Sequence, residues 1–182
     1  MTGVARLAVV GVMGSGSESH RKHASRVGRW LAAQGVHLLT GAGGGAMTAV
    51  SQAFYNVRER RGCIIGILPG TVSKNEYRAA TGYPNPWVEI AIRTHLPLSG
   101  REGMSLRSRN HINVLTSDVI IALPGSAGTA SEVALALRYS RPLVAYLVGD
   151  TGIDELPHGA YVESDWGKVK QFVLSHIATA RS

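Results

Sequence analysis

The run Pro124-Gly125-Ser126-Ala127-Gly128-Thr129, with Glu132 about one helical turn beyond it and Arg109 upstream, carries the residue types of a phosphate site. Glycines let a backbone turn sharply and approach a guest closely. A helix that opens at Gly128-Thr129 turns unpaired N–H groups and a partial positive charge toward an anion. Ser126 and Thr129 add hydroxyl donors, so phosphate is the guest these residues suit. Glu132 would repel a phosphate, so a functional role for it means holding something else, such as a ribose hydroxyl, an exocyclic amine or a water. Its alternative is structural, since a carboxylate near a helix N-terminus is stabilising by about 0.3–1 kcal/mol. Arg109 is placed to reach the same rim and clamp a phosphate bidentately, and Arg107 is a second candidate there.

Two further glycine loops follow the same plan. Met13-Gly14-Ser15-Gly16-Ser17-Glu18-Ser19 leads from the first apolar run into a helix, and Gly41-Ala42-Gly43-Gly44-Gly45-Ala46-Met47 leads from the second into another. Gly14, Ser15, Gly16, Gly43, Gly44, Gly45 and Met47 are therefore candidate ligand-binding residues beside Pro124, Gly125, Ser126, Gly128 and Thr129. So many glycines carry a high conformational entropy unless the backbone needs an unusual φ or a close approach. A dinucleotide-binding domain would usually offer an acidic residue to a ribose at the tip of the second strand; Thr40 stands there, so NAD is not expected.

The elements that must position these loops are legible from apolar runs. The residues over 118–123 are apolar without alternation, as in a strand buried on both faces of a parallel sheet covered by helices. Similar runs over 6–12, 36–40, 62–68, 87–92 and 143–148 read as strands, and 160–163 as a short edge strand. Between them lie helical patterns: a first helix of about fifteen residues capped by Ser17 or Ser19 and stopped at Gly35, a second through about Tyr55, a third that begins near Arg107, Arg109 and Asn110, a fourth from Gly128 to Arg138, and a closing one from Asp165 to about Ala178. Residues 72–86, rich in Gly, Pro and Tyr, read as a loop that could cover a strand end. The expectation is an α/β fold: a single domain over 1–182 with a doubly wound, Rossmann-like parallel sheet of about 6–7 strands. The three glycine loops then converge at its carboxyl edge.

The formal net charge of +7 over 182 residues favours anionic partners. The basic residues are dispersed, however, and the densest run, Arg58-Glu59-Arg60-Arg61, is interrupted by a carboxylate, so a nucleic-acid partner is not expected. The single cysteine, Cys63, lies in an apolar run and reads as an inert core thiol in a reducing compartment. With neither a leader-like opening nor a membrane-length apolar stretch, a soluble cytoplasmic protein without a membrane partner is expected. His20 and His23 lack a third ligand nearby, so no metal site is expected. No serine sits in a Gly-x-Ser-x-Gly elbow, which argues against seryl catalysis.

At these residues the sequence resembles the Lonely Guy superfamily, formerly mislabelled lysine decarboxylase. Its phosphoribohydrolases carry Pro-Gly-Gly-x-Gly-Thr-x-x-Glu with an upstream Arg-Lys pair, which maps onto Pro124 to Glu132 and onto Arg109-Asn110. The resemblance implies that Arg109 and Glu132 match the family's catalytic pair, with Gly125, Ser126, Gly128 and Thr129 holding phosphate. Ser126 replaces the motif's second Gly, Asn110 replaces the Lys, and the second loop is one residue shorter than in the hydrolases. That loop, and the later Gly66-Ile67-Leu68-Pro69-Gly70-Thr71, resemble the branch of molybdenum cofactor carrier proteins.

The resemblance thus implies a carrier of a phosphorylated, nucleotide-like ligand, of molybdopterin type, with no cofactor required for activity and with a homo-oligomer, dimer or tetramer, as the assembly. Its alternative is a phosphoribohydrolase that releases a base from a nucleoside 5′-monophosphate, with Arg109 and Glu132 as catalytic residues. Single-strand nucleic-acid binding, as in the related fold of DNA-processing protein A, is the remote third reading.

Overall fold

Valine, isoleucine and leucine dominate the central runs, and a computed structural model, which describes residues 6–181, pairs them into a seven-stranded sheet. The strands are β1 (Val9–Met13), β2 (His37–Thr40), β3 (Ile64–Leu68), β6 (Ile90–Arg93), β7 (Val119–Ala122), β8 (Leu143–Tyr146) and β9 (Val162–Glu163). Their order is β6-β3-β2-β1-β7-β8-β9, with every pairing parallel. Helices α1 (Arg21–Ala33), α2 (Gly45–Tyr55) and α5 (Trp166–Arg181) cover one face, and α3 (Asn110–Thr116) and α4 (Ala127–Arg138) the other.

The lack of alternation in β7 follows from this sandwich. Val119 and Ile121 enter the core under α1, α2 and α5, while Ile120 and Ala122 enter the core under α3 and α4, all at 0% exposure. Each large aliphatic side chain so buried contributes roughly 1.5–3 kcal/mol. The chain order reverses between β1 and β7. In an open parallel sheet such a switch point leaves a crevice beyond the strands' carboxyl ends, where the loops diverge to opposite faces.

Several expectations need correction. The 72–86 segment is not wholly a loop: β4 (Gly70–Ser73) and β5 (Glu76–Ala79) form an antiparallel hairpin. Its turn residues Lys74 and Asn75 have φ of 49° and 66°, which a two-residue hairpin turn demands. Lysine is not a residue that announces such a turn, so the pattern is silent there. The first helix begins at Arg21, later than expected, and no side chain caps it. Ser15 Oγ instead accepts the Glu18 N–H (2.9 Å) and the Ser17 N–H (3.3 Å), so a serine organises the loop ahead of the helix. The fourth expected strand starts later too, at Ile90; just ahead of it the Glu89 N–H donates to Ile64 O at 3.0 Å, while its carboxylate accepts the Ile64 N–H and pairs with Arg60 at 2.8 Å. Among the described residues no helix is long and apolar enough to cross a membrane.

Candidate functional site

Backbone hydrogen bonds knit the three glycine loops together at the switch point. Ser15 N–H donates to Pro124 O (3.1 Å), and Ala46 N–H donates to Ser15 O (2.9 Å), so Ser15 links the loops that follow β1, β2 and β7. The β7–α4 loop is fixed from its far side as well: Gly125 N–H reaches Gly152 O, and Asp154 N–H returns to Gly125 O, both at 3.0 Å. A Cβ on Gly125 would collide with Thr129 Oγ1 and come to 3.0 Å of Ser15 N. Glycine is the residue that lets these loops meet.

A cleft of about 170 Å³ opens where they converge, lined by Gly14, Ser15, Gly16, Met47, Ser126, Gly128, Thr129, Arg109 and Glu132, and also by Tyr83, Ser99, Gly100 and Asn110. A neighbouring cavity of about 290 Å³ shares Ser15 and Ser126 with it, and Pro124, Gly125, Asp150 and Asp154 belong to that second space. The N-terminus of α4 lies between the two, with its first-turn N–H groups available to an anion.

Arg109 and Glu132 form the floor. Arg109 immediately precedes α3 and Glu132 sits in the second turn of α4; they are 4% and 7% exposed. Glu132 Oε1 accepts from Asn113 Nδ2 at 2.8 Å and from Arg109 Nη1 at 3.4 Å. Burial pushes the Glu132 carboxyl above the usual carboxylate range, against the opposing pull of the Arg109 charge and the Asn113 hydrogen bond. The Arg109 guanidinium lies against Gly41 at the end of β2; a Cβ there would overlap it. That close approach explains one glycine of the second loop. Buried side-chain atoms without a partner gather here too: Arg109 Nε, Asn110 Oδ1 and Asn113 Oδ1. Buried polar groups are nearly always paired, so these three atoms lack the partner that the protein itself would ordinarily supply.

The other expected residues lie nearby without lining the cleft. Gly43 is buried, its carbonyl accepting from Asn85 Nδ2 and Thr48 Oγ1, both at 3.0 Å. Gly44 is the N-cap of α2 and Gly45 its first residue. Arg107 is exposed, on the surface stretch ahead of α3. Tyr83, Ser99 and Gly100 line the cleft although sequence reasoning does not single them out. Tyr83 is brought in by Asn85, which is 5% exposed and whose N–H donates to Ala42 O at 2.8 Å. A buried asparagine in a Pro-rich loop leaves no periodic signal. Among the described residues no cluster of His, Cys, Asp and Glu could hold a metal ion. Cys63 is half-buried and free, its thiol 3.1 Å from His37 Nδ1 and pushed up in pKa by burial.

Three solved structures share this architecture. The molybdenum cofactor binding protein from the phototrophic bacterium Rippkaea orientalis is 32% identical, with a TM-score of 0.68 over 93% of this chain and 97% of that one. The molybdenum cofactor carrier protein of Chlamydomonas reinhardtii is 28% identical, with a TM-score of 0.62 over 93% and 99% of the two chains. The DNA processing protein A of Helicobacter pylori shares the fold alone, at 17% identity and a TM-score of 0.65 over 92% and 80%. The model of the SLOG cluster4 family matches residues 7–167. With its switch-point cleft and three joined glycine loops inside that span, the chain belongs to the SLOG cluster4 family.

Proposed function

We propose that this protein binds and carries a small phosphorylated molecule, a molybdenum cofactor of molybdopterin type, in the cleft at the N-terminus of α4. The observation that carries the reading is the meeting of that helix terminus with the buried Arg109 at a cleft whose walls are loop backbone and hydroxyls. The names of the two relatives from Rippkaea orientalis and Chlamydomonas reinhardtii supply the cofactor.

The residues present fit such a group. Each cavity alone, about 170 and 290 Å³, is small for a pterin phosphate, but their linings share Ser15 and Ser126, so an elongated guest would occupy both. When bound, the group would bring a phosphate monoester and a donor-rich heterocycle. Ser126, Gly128 and Thr129 would hold the phosphate by N–H and hydroxyl donors, and Arg109 would balance its charge. Glu132 would hold Arg109 in place. Binding is proposed to occur in the cytoplasm, in a homo-oligomer; support for assembly comes from β6, an outer strand whose Ile90 and Ile92 are 47% and 38% exposed.

The adjacency of Arg109 and Glu132 also favours a second reading, hydrolysis of a nucleoside 5′-monophosphate, in which Glu132 would act on water or on the sugar. One experiment separates them. Protein purified from its own cell extract is subjected to native mass spectrometry, and the same sample is incubated with AMP while free adenine is measured. A bound pterin phosphate without adenine release supports the carrier. Adenine release that is lost in Glu132→Ala overturns it in favour of the hydrolase.

A further inference from the structure

Asn110 lines the cleft, is 2% exposed, and occupies the position next to Arg109. Its amide orientation follows from its neighbours. Ser131 Oγ donates its proton to Gly128 O at 2.7 Å, so toward Asn110 it can only accept, and it does so from Nδ2 at 3.0 Å. Oδ1 therefore faces away from Ser131, and it has no hydrogen-bond partner in the protein. A buried carbonyl in that state lacks the donor that buried acceptors nearly always have. A phosphate dianion has only acceptors to offer, so Asn110 Oδ1 does not serve the phosphate.

We propose that Asn110 is a specificity-determining residue, whose Oδ1 accepts a hydrogen bond from a hydroxyl or ring N–H that the ligand carries beside its phosphate. The inference rests on the reading of the cleft as a phosphate-monoester site. It adds a selection rule: esters lacking such a donor leave Asn110 Oδ1 unpaired and bind less tightly. A sugar hydroxyl and a pterin N–H are the two sources of that donor.

The test compares matched probes by calorimetry on the full chain: ribose 5-phosphate against tetrahydrofurfuryl phosphate, and pterinylmethyl phosphate against benzyl phosphate. At least one donor-bearing probe is expected to bind about fivefold more tightly than its partner, the effect of one hydrogen bond. The pair that shows the preference identifies the source. In Asn110→Leu that ratio is expected to fall to about one, and in Asn110→Asp, which keeps an acceptor, to survive. Because each ratio is taken within one variant, a loss of overall affinity does not obscure it. A preference that persists in Asn110→Leu, or its absence from both pairs in the wild type, overturns the proposal. Failure of all four esters and of inorganic phosphate to bind the wild type instead overturns the phosphate reading beneath it.

Discussion

Glu132 is a carboxylate in the second turn of α4, 7% exposed, with a guanidinium 3.4 Å away. A buried charge is costly even when paired, because attraction recovers only part of the lost hydration. Here desolvation outweighs Arg109 and Asn113, and the carboxyl is held above its ordinary range. At a pH between the ordinary value and the raised one, the folded state keeps a proton that the unfolded chain has released. Stability through this group is therefore full below the ordinary value and falls as pH rises through the raised one. Glu132→Gln removes the titration while keeping an acceptor for Asn113. The melting temperature of the wild type relative to Glu132→Gln is expected to decline as pH climbs upward from the carboxylate range. Parallel curves for the two proteins would show that Glu132 titrates as an ordinary surface carboxylate. Arg109 and Glu132 are legible as candidates because Pro124 to Glu132 and the upstream Arg109-Asn110 pair follow the motif of the family that the sequence resembles. Tyr83 is not, since its place depends on Asn85 and a Gly43 carbonyl far away in sequence.

At the scale of elements, the buried strands announce themselves because parallel strands covered on both faces need apolar residues at every position. The β4–β5 hairpin does not, because it is exposed along most of its length and its turn uses Lys74 and Asn75. Residues with positive φ are strained when they carry a side chain, asparagine less so than lysine. Replacing Lys74 with Asn and Asn75 with Gly gives the pair that this turn type prefers. The double change is expected to stabilise the hairpin by roughly 0.5–1 kcal/mol, the left-handed strain relieved less the entropy that glycine adds to the unfolded chain. Slower amide exchange at Thr71 and Arg78, a pair that the alternation from the Ala80 N–H to Pro69 O bond makes hydrogen-bonded, is the readout. Unchanged or faster exchange would mean that the turn geometry is imposed by packing of Tyr77 on Gly70 rather than by the turn itself. Helix α1 likewise departs from its local signal: Ser17 and Ser19 are sound capping candidates, but the helix opens at Arg21 without a side-chain cap, and the Ser17 and Glu18 N–H groups are taken by Ser15 Oγ in the loop ahead of it.

For the molecule as a whole, the question is whether the three glycine loops act as one site. Single loops of this kind occur in many tight turns; what distinguishes these is that β1 and β7 lie side by side at the switch point while β2 adjoins β1. Their loops are then forced together, and Ser15 bonds to both of the others. A ligand that binds only the folded state stabilises it in proportion to its saturation, by about 2.7 kcal/mol at a hundredfold excess over Kd. The stabilisation is felt wherever opening would break the site. With ribose 5-phosphate or pterinylmethyl phosphate at saturation, amide exchange is expected to slow together at Ser15, Ala46 and Thr129, one residue from each loop. Protection confined to Thr129 would mean that α4 alone holds the anion, and that the β1 and β2 loops are close-packed turns without a share in binding. Joint protection would tie the glycines of all three loops to one ligand, and the parallel order of the sheet to the purpose of bringing them together.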